Sequence, residues 1–350
     1  MKYLTEALTF DDVLIVPAKS SIRPSEANIS TKLTKNIKLN VPLISAAMDT
    51  VTESNLAIKI AQMGGLGIIH KNLNFVDQAL EVSKVKRFES GMVINPVTIS
   101  PDETLNNVLK KKEKYNISGI PVVDNKSQKL VGILTNRDMR FAKNLQQKVS
   151  TLMTKNNLVT VSEDISMDNA QKLLHEHRIE KLLVVDKNFK CVGLITVKDI
   201  EKAEKFPFAS KDKMGRLLVG AAVGVGESEG INRIRTLEKA GVDVIVIDTA
   251  HGHSENVVET LKMSKKEFPK LPVVVGNIAT AEAAKELIQN GADALKVGIG
   301  PGSICTTRII AGVGVPQLHA ISETFKIAKK NNIPIISDGG IKYSGDIAKA

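Results

Sequence analysis

Val244-Ile245-Val246-Ile247-Asp248, Val273-Val274-Val275-Gly276-Asn277 and Ala294-Leu295-Lys296-Val297-Gly298 are three apolar runs, each closed by a polar residue or a glycine. Nearly continuous Val and Ile, in place of alternation, marks strands covered on both faces, the habit of parallel sheets. The segments between them carry helix patterns, such as Ala281 to Asn290 closed by Gly291. The same texture recurs outward at Leu43 to Ala47, Gly67 to Ile69, Leu217 to Ala222 and Pro334 to Asp338. Seven such strands joined by helices predict an α/β fold, a (β/α)8 TIM barrel. Asp248, Asn277, Gly298 to Gly300 and Asp338 all stand at the C-terminal ends of their strands, where barrels place their sites. A doubly wound sheet would gather such residues at one switch point. After Asp338-Gly339-Gly340 a helix begins near Ser344 and the sequence stops at Ala350. A barrel needs its eighth strand to close its edges. The expectation is therefore a truncated chain lacking that strand.

Between the second and third strands lies an internal repeat. Pro121-Val122-Val123-Asp124 is echoed by Leu183-Val184-Val185-Asp186, an offset of 62. Val131-Gly132-Ile133-Leu134-Thr135-Asn136-Arg137-Asp138 is echoed by Val192-Gly193-Leu194-Ile195-Thr196-Val197-Lys198-Asp199, an offset of 61. The division is residues 1–91, first part of the barrel; 92–203, the paired repeat; 204–350, second part of the barrel. Thr135 with Asp138, and Thr196 with Asp199, put a hydroxyl and a carboxylate at a spacing that can share a sugar diol. The same residues suit a turn and a helix N-cap.

The composition, 43% hydrophobic and 25% charged over 350 residues, is that of a globular chain with room for two domains. No apolar run reaches the roughly 18 residues of a membrane helix. Met1-Lys2-Tyr3-Leu4-Thr5-Glu6 lacks a signal-peptide pattern. The expectation is a cytoplasmic protein. Two cysteines, Cys191 and Cys305, build no disulfide framework and no thiolate metal site. The net charge of +10 suggests nucleic acid, but aromatics make up 3% and Trp is absent, leaving little for bases to stack on. Phosphorylated small molecules fit the charge better.

Gly298-Ile299-Gly300-Pro301-Gly302-Ser303-Ile304-Cys305-Thr306-Thr307-Arg308 follows the sixth strand. Its glycines allow close backbone approach to a ligand, Ser303 can donate to a phosphate, and a cysteine there can serve as nucleophile. A phosphate-gripping loop with an incidental thiol has the same composition.

The string Gly-Pro-Gly-Ser-Ile-Cys-Thr-Thr-Arg resembles the active-site loop of the IMP dehydrogenase/GMP reductase family. Leu8 to Leu14, Pro42 to Thr52, Asp248-Thr249-Ala250-His251-Gly252-His253 and Ser337 to Ile341 fit the same family, so the resemblance covers the whole chain. The paired repeat resembles a tandem CBS (Bateman) module, usual in the dehydrogenases and absent from ordinary reductases. Ile309 to Gln317 is also closer to the dehydrogenases.

The resemblance implies NAD-dependent oxidation of IMP to XMP through a covalent thioimidate, with Cys305 as nucleophile and Thr307 assisting water or proton transfer. It assigns Ser303, Asp338, Gly339 and Gly340 to IMP. It assigns Asp248, Gly298, Ile299, Gly300 and Asn277 to NAD. Main-chain carbonyls of Gly300, Gly302 and Cys305 would hold K+. Thr135, Asp138, Thr196 and Asp199 would bind regulatory ATP or GTP. A homotetramer or octamer is implied, as is loss of turnover in a chain lacking the flap that drives hydrolysis.

Overall fold

The computed structural model describes residues 6–350 apart from 89–91, 95, 116, 198–199 and 202–204. The chain divides into two compact units. One comprises Met1–Lys86, Phe208–Ser210 and Leu218–Ala350; the other comprises Arg87–Pro207 and Lys211–Leu217.

In the first unit seven strands form one sheet: β1 (Ile44–Ser45), β2 (Leu66–Ile69), β3 (Val219–Val223), β4 (Val244–Asp248), β5 (Val273–Ile278), β6 (Ala294–Val297) and β7 (Ile335–Ser337). Their spatial order is their chain order, and every pairing is parallel, as in Gly220 with Val244 and Leu295 with Ile335. This curled, all-parallel sheet is consistent with a TIM-barrel-like fold. Helices cross between successive strands, including Ser54–Gln62, Phe75–Lys86, Glu255–Glu267, Ala281–Gln289 and Gln317–Lys330. The helix expected from Ala281 starts where the Thr280 hydroxyl accepts a hydrogen bond from the Ala283 N–H, at 3.2 Å.

Side chains two apart on a strand share a face. Leu66 and Ile68, Val244 and Val246, Val274 and Ala294 meet in one buried cluster with Leu218 and Ala222. Leu33, Ile37 and Leu39, from the hairpin Thr31–Lys32/Lys38–Leu39, join it beneath the strand starts. The same alternation carries Val246 to Asp248, Ala294 to Lys296 and Ile336 to Asp338. An apolar floor thus supports a polar layer at the strands' C-terminal ends.

The second unit shows the repeat as two hairpins. Gly119–Val123 pairs antiparallel with Leu130–Thr135, and Lys181–Val185 with Cys191–Thr196, each with a register shift near the turn. The turns span 124–129 and 186–190, six residues against five, and the change in repeat offset falls there. Each copy has its own core. Ile120, Val122 and Leu134 are buried in the first; Leu182, Val184 and Ile195 occupy the corresponding positions in the second. Leu130, Ile133, Leu183 and Leu194 form a cluster common to both copies.

Candidate active site

The polar layer is one connected network. The Lys296 ammonium lies 2.7 Å from Asp338 Oδ2 and 3.2 Å from Asp248 Oδ1, and donates to Asn277 Oδ1 at 3.0 Å. The Asn277 amide in turn donates to Asp338 Oδ2 at 2.7 Å and to the Gly298 carbonyl at 2.8 Å. Burial favours the neutral amine of Lys296, but the charges of Asp338 and Asp248 outweigh it and hold the ammonium above the usual lysine range. Lys71 donates to the Asp248 carbonyl at 2.6 Å. The Gln317 amide donates to the carbonyls of Val297, 2.9 Å, and Asp338, 3.2 Å, tying β6 to the turn after β7. Sequence reasoning passed over Lys296, Lys71 and Gln317. A lysine inside the otherwise apolar run Ala294-Leu295-Lys296-Val297 was the available signal, because a charge on a buried face needs a partner.

The glycine loop is anchored against this layer. Gly298 has φ +150°, and a Cβ there would sit 2.0 Å from the Asp338 carbonyl oxygen. A side chain at that position is excluded by both conformation and space. Gly300, at φ +74°, lies under the Arg308 side chain, whose Cγ would meet an added Cβ at 2.8 Å. Pro301 packs against Gly339 and Gly340, so the loop and the turn Asp338-Gly339-Gly340 are neighbours.

At the loop's far end the Cys305 N–H donates to the Gly302 carbonyl at 3.1 Å. Cys305 Sγ lies 3.2 Å from Thr307 Oγ1, at the start of the short helix Thr307–Ile310. Hydrogen bonds from the Thr307 hydroxyl and N–H, then the nearby charge of Arg308, hold the thiol below its ordinary pKa. The thiolate is the nucleophilic form. Cys191 is the opposite case, since burial pushes it up to about 11. Ser303 is exposed. The surrounding segment carries exposed apolar side chains, among them Ile304, Ile309 and Ile310.

The structure therefore gathers Asp248, Asn277, Gly298, Ile299, Gly300, Asp338, Gly339 and Gly340 on one end of one sheet. Gly302, Ser303, Cys305 and Thr307 follow on the connected loop. Thr135, Asp138 and Thr196 belong to the other unit. Thr135 and Asp138 bond each other at a helix start: both the backbone N–H and the hydroxyl of Thr135 donate to Asp138 Oδ2 at 2.7 Å. Thr154 donates to the other carboxylate oxygen at 3.2 Å. Thr196 is buried at the end of its strand, and Asp199 lies outside the described residues.

Among the described residues no three His, Cys, Asp or Glu side chains are grouped to hold a metal ion. No described helix is long and apolar enough to cross a membrane.

The chain matches the IMP dehydrogenase / GMP reductase domain over residues 7–350. It is 59% identical to an inosine-5'-monophosphate dehydrogenase of Aquifex aeolicus, over 100% of this chain and 71% of the relative. It is 55% identical to that of Bacillus subtilis, over 100% of this chain and 72% of the relative. Among solved structures it is similar to a Trypanosoma brucei GMP reductase in complex with guanosine 5'-triphosphate. There the TM-score is 0.89 and the identity 39%, over 99% of this chain and 84% of the other. A second T. brucei GMP reductase structure, of a cysteine-to-alanine variant in complex with guanosine 5'-monophosphate, gives TM-score 0.89 and 38% identity over 99% and 74% of the two chains. Because these reductases cover the inserted repeat as well, the insert by itself does not separate dehydrogenase from reductase. The chain belongs to the IMP dehydrogenase/GMP reductase family.

Proposed function

We propose that this chain oxidises IMP to XMP with NAD, as the names of its 53–59% identical relatives indicate. The observation that carries the chemistry is the Cys305 thiol, depressed in pKa and 3.2 Å from the Thr307 hydroxyl. Cys305 Sγ attacks C2 of the purine, making that carbon tetrahedral and able to release hydride. The hydride and its electron pair go to the nicotinamide, leaving a thioimidate. Water then displaces the sulfur, giving XMP, NADH and one proton, and Thr307 assists that proton transfer. Asp338 accepts from the IMP ribose hydroxyls, while Ser303 and the N–H groups of Gly339 and Gly340 face its phosphate. Asp248 contacts NAD, and Gly298, Ile299 and Gly300, with Asn277 beside them, line the nicotinamide.

A potassium ion fits the loop's donor set. The carbonyls of Gly300 and Cys305 accept no hydrogen bond from the described residues, and the Gly302 carbonyl has a spare lone pair beyond the Cys305 N–H. Bound there, the ion would fix the loop's backbone. Residues 1–91 and 204–350 would form the catalytic barrel. Residues 92–203 would form a tandem CBS module binding ATP or GTP through Thr135, Asp138, Thr196 and Asp199. Loss of nucleotide binding in Asp138→Ala, read by calorimetric titration, tests that half. The protein would be a cytoplasmic homotetramer or octamer.

The test is NADH formation from IMP and NAD, read as a single burst or as turnover, because hydride transfer precedes hydrolysis. Cys305→Ala should abolish it with an unchanged melting temperature; retained turnover would sink the mechanism. The solved reductase relatives favour one alternative, reduction of GMP with NADPH. Activity with GMP and NADPH but none with IMP and NAD would establish it.

A further inference from the structure

The loop chemistry above has no use for Lys296, although it bonds three other side chains of the polar layer. It stands on β6, yet it reaches Asp248 on β4, two strands away, as well as Asp338 after β7. An ammonium has three N–H donors, and here three oxygens surround it: Asp248 Oδ1, Asn277 Oδ1 and Asp338 Oδ2. The remaining oxygens, Asp248 Oδ2 and Asp338 Oδ1, receive no hydrogen bond from the described residues. Each carboxylate is thus held by one oxygen and presents the other. Two carboxylates share one cation, so displacing either changes what is left for its neighbour.

We propose that Lys296 is a positioning residue shared by two nucleotide subsites, one ammonium orienting both Asp248 and Asp338 and so coupling the site for one nucleotide to the site for the other. The proposal rests on the assignment of Asp338 to IMP and Asp248 to NAD made above. Its consequence is specific. A change at Asp248, which touches no atom of IMP, alters IMP affinity through Lys296. With Asp248 neutral, Lys296 moves wholly onto Asp338 and competes for the oxygens that accept the ribose hydroxyls.

The experiment is calorimetric titration of the full chain with IMP in the absence of NAD. Asp248→Asn should weaken IMP at least about fivefold, the lower end of ordinary site-to-site coupling. In a Lys296→Met background the same Asp248→Asn change should have no further effect, whereas in Lys296→Arg, which keeps the charge, the response should persist. A purely structural role for Lys296 would lower the melting temperature without making IMP affinity answer to Asp248. An unchanged IMP affinity in Asp248→Asn overturns the coupling, and that arm leaves Lys296 untouched, so it decides even if Lys296→Met does not fold. An equal response in the Lys296→Met and unaltered backgrounds overturns it as well. Failure of the unaltered chain to bind IMP at all strikes the substrate assignment first, and the proposal falls with it.

Discussion

Cys305 and Cys191 are the same functional group in opposite surroundings. Donors from Thr307 and the charge of Arg308 stabilise the thiolate at Cys305, while burial destabilises it at Cys191. Iodoacetamide at about pH 8 should therefore modify Cys305 and spare Cys191, as peptide mapping would read. The sign of the Thr307 contribution is also testable. The hydroxyl favours the charged form, so Thr307→Val should raise the Cys305 pKa and move the alkylation rate–pH curve to higher pH. A curve that stays in place would mean that Thr307 does not tune the thiol. Residue-scale chemistry of this kind was legible in the sequence because it is local: Cys305 and Thr307 are two positions apart on one loop. Lys296 was not legible, because its partners Asp248 and Asp338 lie more than 40 positions away on either side. Only the strand register and the parallel sheet bring the three together.

At the scale of elements, the site depends on how β6 leaves the sheet. Gly298 follows β6 directly and is pressed against the Asp338 carbonyl, with φ +150°. Gly298→Ala has no room to relax locally: its methyl must displace the turn that carries Asp338 or push the loop bearing Cys305 aside. Either movement separates groups that must face one substrate, and misplacement of about 1 Å costs on the order of 100-fold in rate. The expected result is a fall of that order in NADH formation, larger than the accompanying loss of thermal stability would explain. Near-normal activity in Gly298→Ala would show that the loop and turn need not hold this contact. The repeat module teaches a different lesson. The Thr135–Asp138 spacing suits a sugar diol and a helix cap equally, and here the two residues bond each other at the start of the helix Asn136–Met139. Spacing alone could not choose between those uses, because both rest on a hydroxyl and a carboxylate three positions apart.

The whole molecule contains separate cores. Leu66 is fully buried in the cluster under the parallel sheet, and Leu182 is fully buried in the second repeat copy. Each unit has enough chain to bury a core of its own, within the usual domain range of about 50–250 residues. Cooperative unfolding is then expected unit by unit, because a two-state transition follows one core. Scanning calorimetry of the full chain should resolve two transitions. Leu182→Ala removes buried methyl groups at a cost of roughly 2–5 kcal/mol and should lower one transition by about 10 °C. Leu66→Ala should lower the other and leave the first in place. A single transition that both substitutions lower equally would show that the two units unfold as one. The internal repeat would then be part of the barrel's cooperative core, and a regulatory module able to change state on its own would lose its physical basis.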